Sequence, residues 1–411
     1  MIRVLLEGPL LTKSGYGEHA RLVYRAISKN KNLDIFINPL NWGTCSWALP
    51  DEQVSACINK FRSYSHFCEN NKQNPDYAIQ IHVGIPSEFE KKAPYSVCVT
   101  AGIETDRASP NWIFKTNQGI DKIVVPSEHA RSGLVNTGYE VINKTNDTRT
   151  ELTCACPVEV VPYPVKNMTG DKLDIDFETE FNFLQIAMMG PRKNIEASIK
   201  CFVEQFRDND NVGLVLKTSL SKSTIIDRFK LKKHMQNYVN SLGHKKCKIY
   251  LVHGNLTESE IHSLYTHPKI KAYFTTTHGE GFGLPIFEAA YSGIPVVATD
   301  WSGHLDFLTG EMNGKKKKLF AKIGYSLKQV QPEAVWEHLI IKESKWAFPQ
   351  ETSIKEQLKK VYNNYGMYNK WAQKLKSSLL ETHDDDKITE LMSRAIIGEL
   401  KPEEEEVVVF K

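Results

Sequence analysis

Short apolar runs alternate with longer amphipathic stretches along the first 165 residues of the chain. The runs are rich in β-branched and aromatic residues, as buried strands are, and they cover Val4–Leu6, Tyr95–Thr100, Ile123–Pro126 and Val158–Val165. Residues 20, 23, 24 and 27 are apolar at helical spacing, which predicts a helix that ends near Ser28. Strands that alternate with helices indicate an α/β domain, which we place at residues 1–165.

The same alternation returns after a polar segment at residues 166–180, which we interpret as a linker. The apolar runs of this second half are Phe181–Ala187, Val212–Leu216, Lys248–Val252, Ala272–Thr276 and Ile294–Ala298. A helix follows the first of these runs, with Ile195, Ile199, Phe202 and Phe206 along one side. We therefore predict a second α/β domain at residues 181–345.

The remaining sequence carries less chemistry. Residues 353–380 predict one long amphipathic helix, within a helical region that we place at residues 346–395. Residues 396–411 contain a run of glutamates, which we interpret as an acidic tail. Two polar stretches inside the domains, Asn143–Thr153 and Lys315–Lys318, are interpreted as solvated loops.

A glycine-rich loop after Ala272–Thr276 opens a predicted helix in the second domain. Pro285 suits the first turn of that helix, and Gly293 suits the position just past its end. Ile294–Ala298 then predicts a further strand, so the segment is a strand–loop–helix–strand unit.

This loop and helix carry two glutamates, Glu280 and Glu288, eight positions apart. Gly281 and Gly283 allow the backbone to come close to a ligand, and the unpaired amides of a helix N-terminus attract an anion. Both glutamates can accept hydrogen bonds from hydroxyl groups. An anion together with several hydroxyls describes a nucleotide sugar.

The segment His278–Glu288 resembles the donor-site motif of family 4 glycosyltransferases, which have the GT-B fold. That fold consists of two Rossmann-like domains that face a cleft, with a C-terminal helix that crosses back to the first domain. The resemblance implies that Glu280 contacts the transferred sugar and Glu288 the nucleotide ribose. Trp301–Leu308 also resembles the family, and the opening Leu5–Gly17 resembles members associated with large phages. The plain alternative is a βαβ unit whose glutamates are solvated.

The resemblance extends to further donor-site residues. Arg192 and Lys193 resemble the basic site that binds the diphosphate, and Lys217 could replace a second cation that is absent at Met188. Lys217 could equally be an exposed charge at a strand end. The other positions implied in donor binding are Gly15, Gly17 and Asn255, with the loop residues Gly281, Phe282, Gly283 and Leu284.

One departure from the family concerns the strand Tyr95–Thr100. Many members carry a histidine near its end that touches the donor sugar, and this chain has none there. Glu104 or Asp106 could take over that contact, so that both stand with Glu280 and Lys193 as candidate catalytic residues. The alternative is that one of them caps the following helix or pairs with Arg107.

Composition and charge narrow the class of protein. The net charge is only +3, no run of eighteen apolar residues occurs and the start of the chain lacks a signal peptide, so we expect a cytoplasmic protein, in the host cytoplasm if viral. The eight cysteines are scattered, which favours reduced thiols over a metal or disulfide framework. Three Asp-x-Asp pairs lie in polar stretches, at residues 174–176, 208–210 and 384–386. We therefore expect no cofactor and a donor site that needs no metal.

Taken together, these patterns predict an enzyme that moves a hexose or pentose from a UDP- or GDP-linked donor to an acceptor hydroxyl. The resemblance implies retention of anomeric configuration. The sequence leaves three acceptor classes as alternatives: a glycan, a lipid and hydroxymethylated pyrimidines in DNA. For the last of these, Trp42 and Trp47 could stack a flipped base. A further reading is a catalytically silent protein that binds nucleotide sugars. The sequence indicates no oligomeric state.

Overall fold

Two six-stranded parallel sheets form the framework of the computed structural model, which describes residues 1–142, 147–167, 173–312 and 314–398. Each sheet is covered by helices that follow its strands, so both faces are buried. This explains why runs such as Val4–Leu6 are apolar throughout instead of alternating with polar residues. The prediction of two Rossmann-like α/β domains is confirmed.

The first sheet contains six of the eight strands in the first half, in the order β2-β1-β3-β4-β5-β8. The strands are β1 (Ile2–Gly8), β2 (Leu33–Pro39), β3 (Ile79–Val83), β4 (Tyr95–Val99), β5 (Lys122–Val125), β6 (Gly138–Ile142), β7 (Arg149–Thr153) and β8 (Val158–Val160). The helices are α1 (Gly15–Ser28), α2 (Glu52–Asn71), α3 (Pro110–Asn117) and α4 (Glu128–Val135). Strands β6 and β7 form a separate antiparallel hairpin.

The second sheet has the order β11-β10-β9-β12-β13-β16. The strands of this half are β9 (Phe181–Ile186), β10 (Val212–Lys217), β11 (Lys248–Val252), β12 (Ile270–Phe274), β13 (Val296–Thr299), β14 (Thr309–Met312), β15 (Lys315–Lys318), β16 (Ala321–Ile323), β17 (Tyr325–Gln329) and β18 (Lys345–Pro349). The helices are α5 (Ile195–Phe206), α6 (Ile225–Ser241), α7 (Glu258–Tyr265) and α8 (Leu284–Ser292). Pairs β14–β15 and β17–β18 are antiparallel hairpins.

Three helices end the described chain: α9 (Glu351–Asn363), α10 (Tyr365–Thr382) and α11 (Asp385–Ile397). Helix α11 packs on α1 of the first domain, where Arg25 donates to Asp385 at 2.8 Å and Lys29 to Asp386 at 2.7 Å. The chain therefore returns from the second domain to the first, as the fold class predicts.

Three predictions about local structure are wrong. Residues 353–380 form two helices and not one, because the chain leaves helical geometry at Asn364, whose φ is −118° and ψ is 35°. The lysine run is strand β15 and not a loop, because β14 supplies its backbone partners while all four side chains stay exposed. Arg149–Thr153 is strand β7 for the same reason, since it pairs with β6.

Parts of several predicted segments lie outside the described residues. These are residues 143–146 of the predicted loop, 168–172 of the predicted linker and 399–411 of the predicted acidic tail. The domain boundaries at residues 165, 180, 345 and 395 stay predictions.

Candidate active site

The loops at the carboxyl ends of both parallel sheets meet between the two domains. The loop after β1 reaches the loop after β11, where the Lys13 ammonium donates to the Asn255 side-chain oxygen at 2.8 Å and also to the Leu256 carbonyl. The loop after β4 reaches the loop after β9, where Arg192 and Glu104 pair at 2.9 Å. The carboxyl edge of parallel strands is the usual place for a ligand in open α/β sheets.

Glu280 lies in the loop after β12 and is 7% exposed. One carboxylate oxygen accepts from the Lys193 ammonium at 2.5 Å and from the Thr277 hydroxyl at 2.8 Å, and the other accepts from Arg192 at 3.0 Å. Its own N–H donates to the Ser302 hydroxyl at 2.9 Å. The side chain is therefore held from both ends of its carboxylate.

These contacts decide the charge of Glu280. Burial by itself would raise the pKa of the carboxyl, but Lys193 and Arg192 outweigh it and lower the pKa to about 2. Burial and the neighbouring Arg192 lower the pKa of Lys193. Glu280 is thus an ionised carboxylate in a buried setting.

Arg192 links this carboxylate to the first domain. Its guanidinium donates to the Gly279 carbonyl at 2.8 Å and pairs with Glu104 at 2.9 Å. Burial raises the pKa of Glu104, and Arg192 opposes that rise. We refer to Glu280, Glu104, Arg192 and Lys193 as the Glu280 cluster. It contains two cations and two carboxylates.

Asp106 lies outside this cluster. Its N–H donates to the Lys345 carbonyl at 2.9 Å, and its carboxylate accepts from the Lys345 N–H at 2.7 Å, which ties the loop after β4 to β18. It also pairs with Arg107 at 3.2 Å, as one alternative foresaw. Neither acidic residue caps α3, because Ser109 does so. The structure brings Glu104 to Glu280 and leaves Asp106 elsewhere.

Two glycines of the loop allow the domains to touch. A Cβ on Gly279 would stand 2.0 Å from the Glu104 carbonyl, and one on Gly281 would stand 1.9 Å from the Ala101 carbonyl. The Ser127 hydroxyl also donates to the Gly281 carbonyl at 2.5 Å. The space that the sequence assigns to a ligand is therefore filled here by the backbone of the first domain. The donor-binding role of these glycines stays a prediction.

The rest of the loop is equally well packed. Gly283 has a φ of 95°, which favours glycine, and begins α8. Phe282 is 4% exposed and packs on Tyr163 with ring centroids 5.0 Å apart. Leu284 lies 3.9 Å from where a Cβ on Gly15 would stand. Gly15 and Leu284, both predicted donor-site residues, thus face each other.

Glu288 has a different environment in the second turn of α8. Its carboxyl accepts from the Tyr265 hydroxyl at 2.8 Å. Burial raises its pKa to about 7, with Lys166 opposing the rise. Lys166 itself bridges Glu18 of α1 at 2.7 Å and Glu258 of α7 at 2.8 Å, and so ties the two domains together.

Lys217 and Asn255 stand at the other end of the meeting loops. The Lys217 ammonium donates to the Gly254 carbonyl at 3.0 Å. Burial, together with the charge of Lys13, lowers the pKa of Lys217 to about 8. Within the described ranges no carboxylate pairs with Lys217. An anion brought to this position would therefore meet a cation that is already desolvated.

Sequence reasoning missed Lys13 and Ser302. Lys13 precedes the Ser-Gly-x-Gly segment of the first domain, so its position in that loop was the available signal. Ser302 lies in Trp301–Leu308 and has a φ of 90°, which no pattern in the sequence announces. Gly17 has a local role, since a Cβ there would stand 2.2 Å from the Thr12 carbonyl.

In the part of the chain that the structure describes, no group of three or more His, Cys, Asp or Glu side chains is placed to hold a metal ion. Among the same residues, no helix combines the length and the apolar character needed to cross a bilayer.

Comparison with known protein families gives a match in the second half of the chain. Residues 174–337 match the family model described as Glycosyl transferases group 1. No curated protein matches the chain in sequence.

Solved structures resemble the chain over nearly its whole length. Sucrose-phosphate synthase from Thermosynechococcus elongatus is 12% identical, with 96% of this chain and 98% of that chain covered and a TM-score of 0.60. Anabaena HepE, solved with UDP and glucose, is 11% identical, with 97% and 100% covered and a TM-score of 0.56. The lipopolysaccharide outer core galactosyltransferase WaaB is 13% identical, with 97% and 100% covered and a TM-score of 0.54. Together these structures show that the chain has the GT-B fold.

Proposed function

We propose that this chain, which has the GT-B fold and matches a glycosyltransferase family model over residues 174–337, transfers a sugar, with retention of configuration, from a UDP- or GDP-linked donor to an acceptor hydroxyl. The observation that carries the proposal is the Glu280 cluster, which places an ionised carboxylate beside two cations at the meeting of the domains. The similar protein HepE was solved with UDP and glucose, which supports a uridine nucleotide as the first donor to test.

Each donor group has a counterpart among these residues. Lys193, Arg192 and Lys217 would stabilise the negative charge that develops on the departing diphosphate. Glu280 would accept hydrogen bonds from the sugar hydroxyls, and Glu288 would hold the ribose. The amides of residues 281–284 stand at the start of α8, where an anion is favoured.

In the proposed reaction the bond between the anomeric carbon and the diphosphate oxygen breaks, and the acceptor oxygen forms a new bond to that carbon. The acceptor proton leaves with the diphosphate. We assign no covalent nucleophile, because Glu280 is engaged by Lys193 and Arg192 on both oxygens. The leaving group is stabilised by lysine and arginine side chains, so we propose that no metal is needed.

Donor binding requires a rearrangement of the Glu280 cluster. Both cations already face carboxylates, and the loop glycines already touch the first domain. A diphosphate that takes Arg192 would replace Glu104, and this exchange would separate the two loops. We propose that the described arrangement is the closed form and that the donor enters after the domains part.

The acceptor has two candidate classes beyond a simple glycan. A hydroxymethylated pyrimidine in DNA is supported by strand β15, whose four lysines are all exposed. A lipid-linked acceptor is supported by the surface described in the next subsection. We keep the cytoplasm as the proposed location, in an infected host if the protein is viral.

The test is a donor screen in which purified protein is offered UDP- and GDP-sugars, with and without hydroxymethylated DNA, and nucleotide release is measured. Release that depends on DNA would identify the acceptor and the donor together. Slow release without DNA would support the donor site and turn the search to glycans and lipids. If no donor releases nucleotide, the result would contradict the proposal and favour a protein that binds nucleotide sugars without turnover.

A further inference from the structure

Helix α6 has two apolar faces, and only one of them is buried. Leu231 and Met235 form the inner face and are 0% and 5% exposed. Three large apolar side chains lie on the other side and form what we call the outer face: Ile225, Ile226 and Phe229, exposed by 87%, 68% and 69%. At 100° per residue these three fall within one arc, nearly opposite Leu231. Contiguous exposed apolar groups of this kind mark an interaction site.

The outer face is surrounded by positive charge. Five exposed cations flank it, at Lys222, Arg228, Lys230, Lys232 and Lys233, and none of them forms an ion pair with a described residue. The one acidic residue of residues 219–241 is Asp227, so this segment carries five cations against one carboxylate. Lys232 and Lys233 continue the arc of the outer face by one turn.

Asp227 does not neutralise this surface. It is 6% exposed and points back into the domain, where its carboxylate accepts from the backbone N–H groups of Leu220 and Ser221 at 3.1 and 2.9 Å. His253 contacts the same carboxylate at 2.9 Å. These bonds fix the start of α6 and leave the cations outside without a carboxylate partner.

We propose that the outer face of α6 docks on the surface of an anionic lipid bilayer. Ile225, Ile226 and Phe229 enter the boundary between headgroups and acyl chains, and the lysines stay at the level of the lipid phosphates. An apolar tip with cationic flanks is the arrangement that binds such an interface, where each cation near the surface is attracted by the anionic lipids.

Two other occupants fit the observations less well. A nucleic-acid backbone would attract the cations but would leave the three apolar side chains in water. A second copy of the chain, related by two-fold symmetry, would place this basic face against itself, so that like charges meet. A bilayer with anionic lipid satisfies both the charge and the apolar surface.

The docked orientation would bring the donor end of the cleft near the bilayer. The Ser223 hydroxyl, just before α6, donates to the Gly254 carbonyl at 3.2 Å, and the Lys217 ammonium donates to the same oxygen at 3.0 Å. A lipid-borne acceptor would then be within reach of the active site. This last consequence rests on the proposed function, whereas the docking itself does not.

The test is co-sedimentation of the full chain with vesicles of phosphatidylcholine alone and of phosphatidylcholine with phosphatidylserine. We expect binding to the anionic vesicles, weakened by salt, and little binding to the neutral ones. The double variant Ile226→Ser/Phe229→Ser should bind at least about tenfold more weakly, because it removes two inserted side chains. Phe114→Ser, which removes an aromatic side chain of α3 that is 50% exposed, is the control and should bind like wild type.

The charge contribution is tested by Lys232→Gln/Lys233→Gln, which should weaken anionic vesicle binding by about tenfold or more. Lys370→Gln/Lys374→Gln removes two exposed lysines of α10 and should have little effect. Glu280→Ala should bind vesicles like wild type, and Ile226→Ser/Phe229→Ser should release nucleotide from donor like wild type. A variant that loses vesicle binding but keeps nucleotide release, or the reverse, distinguishes a failure of docking from a failure of the proposed function.

Three outcomes would overturn the proposal. One is the absence of wild-type binding to anionic vesicles, and another is unchanged binding by Ile226→Ser/Phe229→Ser. The third is that the same variant abolishes a dimer seen by gel filtration, or binding to a short DNA duplex, while vesicle binding persists. Either result would assign the face to a second copy or to nucleic acid.

Discussion

Glu280 and Glu288 are the same residue type in one short segment, yet their environments give them opposite charge behaviour. Glu280 faces Lys193, Arg192 and Thr277, and its pKa is lowered to about 2. The Glu288 carboxyl accepts from the Tyr265 hydroxyl, and burial raises its pKa to about 7. Burial acts on both in the same direction, so the two cations account for the difference.

The comparison shows that two glutamates of one short segment can differ in charge and therefore in chemical role. A permanently ionised carboxylate suits a site where charge develops, whereas a carboxyl that titrates near neutrality can donate as well as accept a hydrogen bond. The cations belong to the loop after β9 and are 87 and 88 positions from Glu280 in the chain. The tyrosine belongs to α7, within the same domain.

The largest expected effect comes from removing the Glu280 carboxylate or the lysine that pairs with it. Glu280→Ala and Lys193→Ala should each lower transfer by at least about 100-fold, because each removes a group proposed to act on the sugar or the diphosphate. Initial rates with a fixed donor and acceptor measure the effect. Lys200→Ala, which removes an exposed lysine paired with Glu351, is the control and should keep wild-type rates. If either Glu280→Ala or Lys193→Ala keeps a near wild-type rate, the catalytic role proposed for that residue is wrong.

A second change moves the Glu280 loop without touching the carboxylate. Gly281→Ala adds a Cβ that would stand 1.9 Å from the Ala101 carbonyl, so the loop and the first domain must separate. We expect transfer to fall by about tenfold or more and the radius of gyration from small-angle X-ray scattering to increase.

The control for Gly281→Ala is Gly190→Ala, just before the cations of the cluster. No atom lies within 4 Å of a Cβ at Gly190, and its φ of 171° is open to any residue. It should match wild type in both measurements. If Gly281→Ala also matches wild type, the closed contact is not needed for the reaction.

Glu288→Gln tests the raised pKa of Glu288 through its effect on stability. The pKa of Glu288 in the folded protein is about 7 against an ordinary value of 4.5, so the folded state holds the proton more tightly than the unfolded chain does. Wild type should therefore lose stability relative to the Gln variant as pH rises from 4.5 to about 7. The full pKa gap would correspond to about 3 kcal/mol, and we expect roughly 1 kcal/mol because the group is partly accessible.

Urea unfolding of both proteins at about pH 5 and about pH 8 measures this difference. The opposite dependence of stability on pH is expected for Glu280. Its stabilising contribution is present above its ordinary pKa of 4.5 and is lost only as pH falls towards about 2. A stability gap between Glu288→Gln and wild type that does not change with pH would show that Glu288 is ionised throughout.

The smallest expected effect concerns Lys217, which pairs with no carboxylate among the residues that the structure describes. Its pKa of about 8 means that its charge is lost as pH rises from about 7 to about 9, so donor binding should weaken over that range, by about threefold. Lys217→Arg keeps the charge, because the guanidinium stays protonated, and should remove that dependence. The donor KM measured across this range tests it, and an unchanged slope in the Arg variant would exclude Lys217 from the diphosphate site.

Much of the fold follows from local sequence. Ser127 is a residue type that favours the start of a helix, and its hydroxyl accepts from the Ala130 N–H at 3.1 Å at the start of α4. Thr257 and Glu260 form the capping box that their spacing predicts, and Gly293 ends α8 with a φ of 85°. These features depend on residues within one turn, so a single sequence contains what is needed to infer them.

Other features depend on partners that are distant in the chain. The break at Asn364 and the strand made by four lysines could not be inferred, because the pattern of each segment alone fits a single helix and a loop. The choice between Glu104 and Asp106 also depended on which residue of the loop after β4 reaches Arg192 and which reaches β18.

The sequence by itself determined most of the strands and helices, several helix caps and the spacing of Glu280 and Glu288, since each is encoded over a few residues. Only the tertiary structure decided that Glu280 is ionised, that Glu288 titrates near neutrality and that Lys13 reaches the second domain. The physical reason is that charge state and contact depend on distance and burial, and folding brings together groups that are 87 positions apart, as Lys193 and Glu280 are, or 242 apart, as Lys13 and Asn255 are.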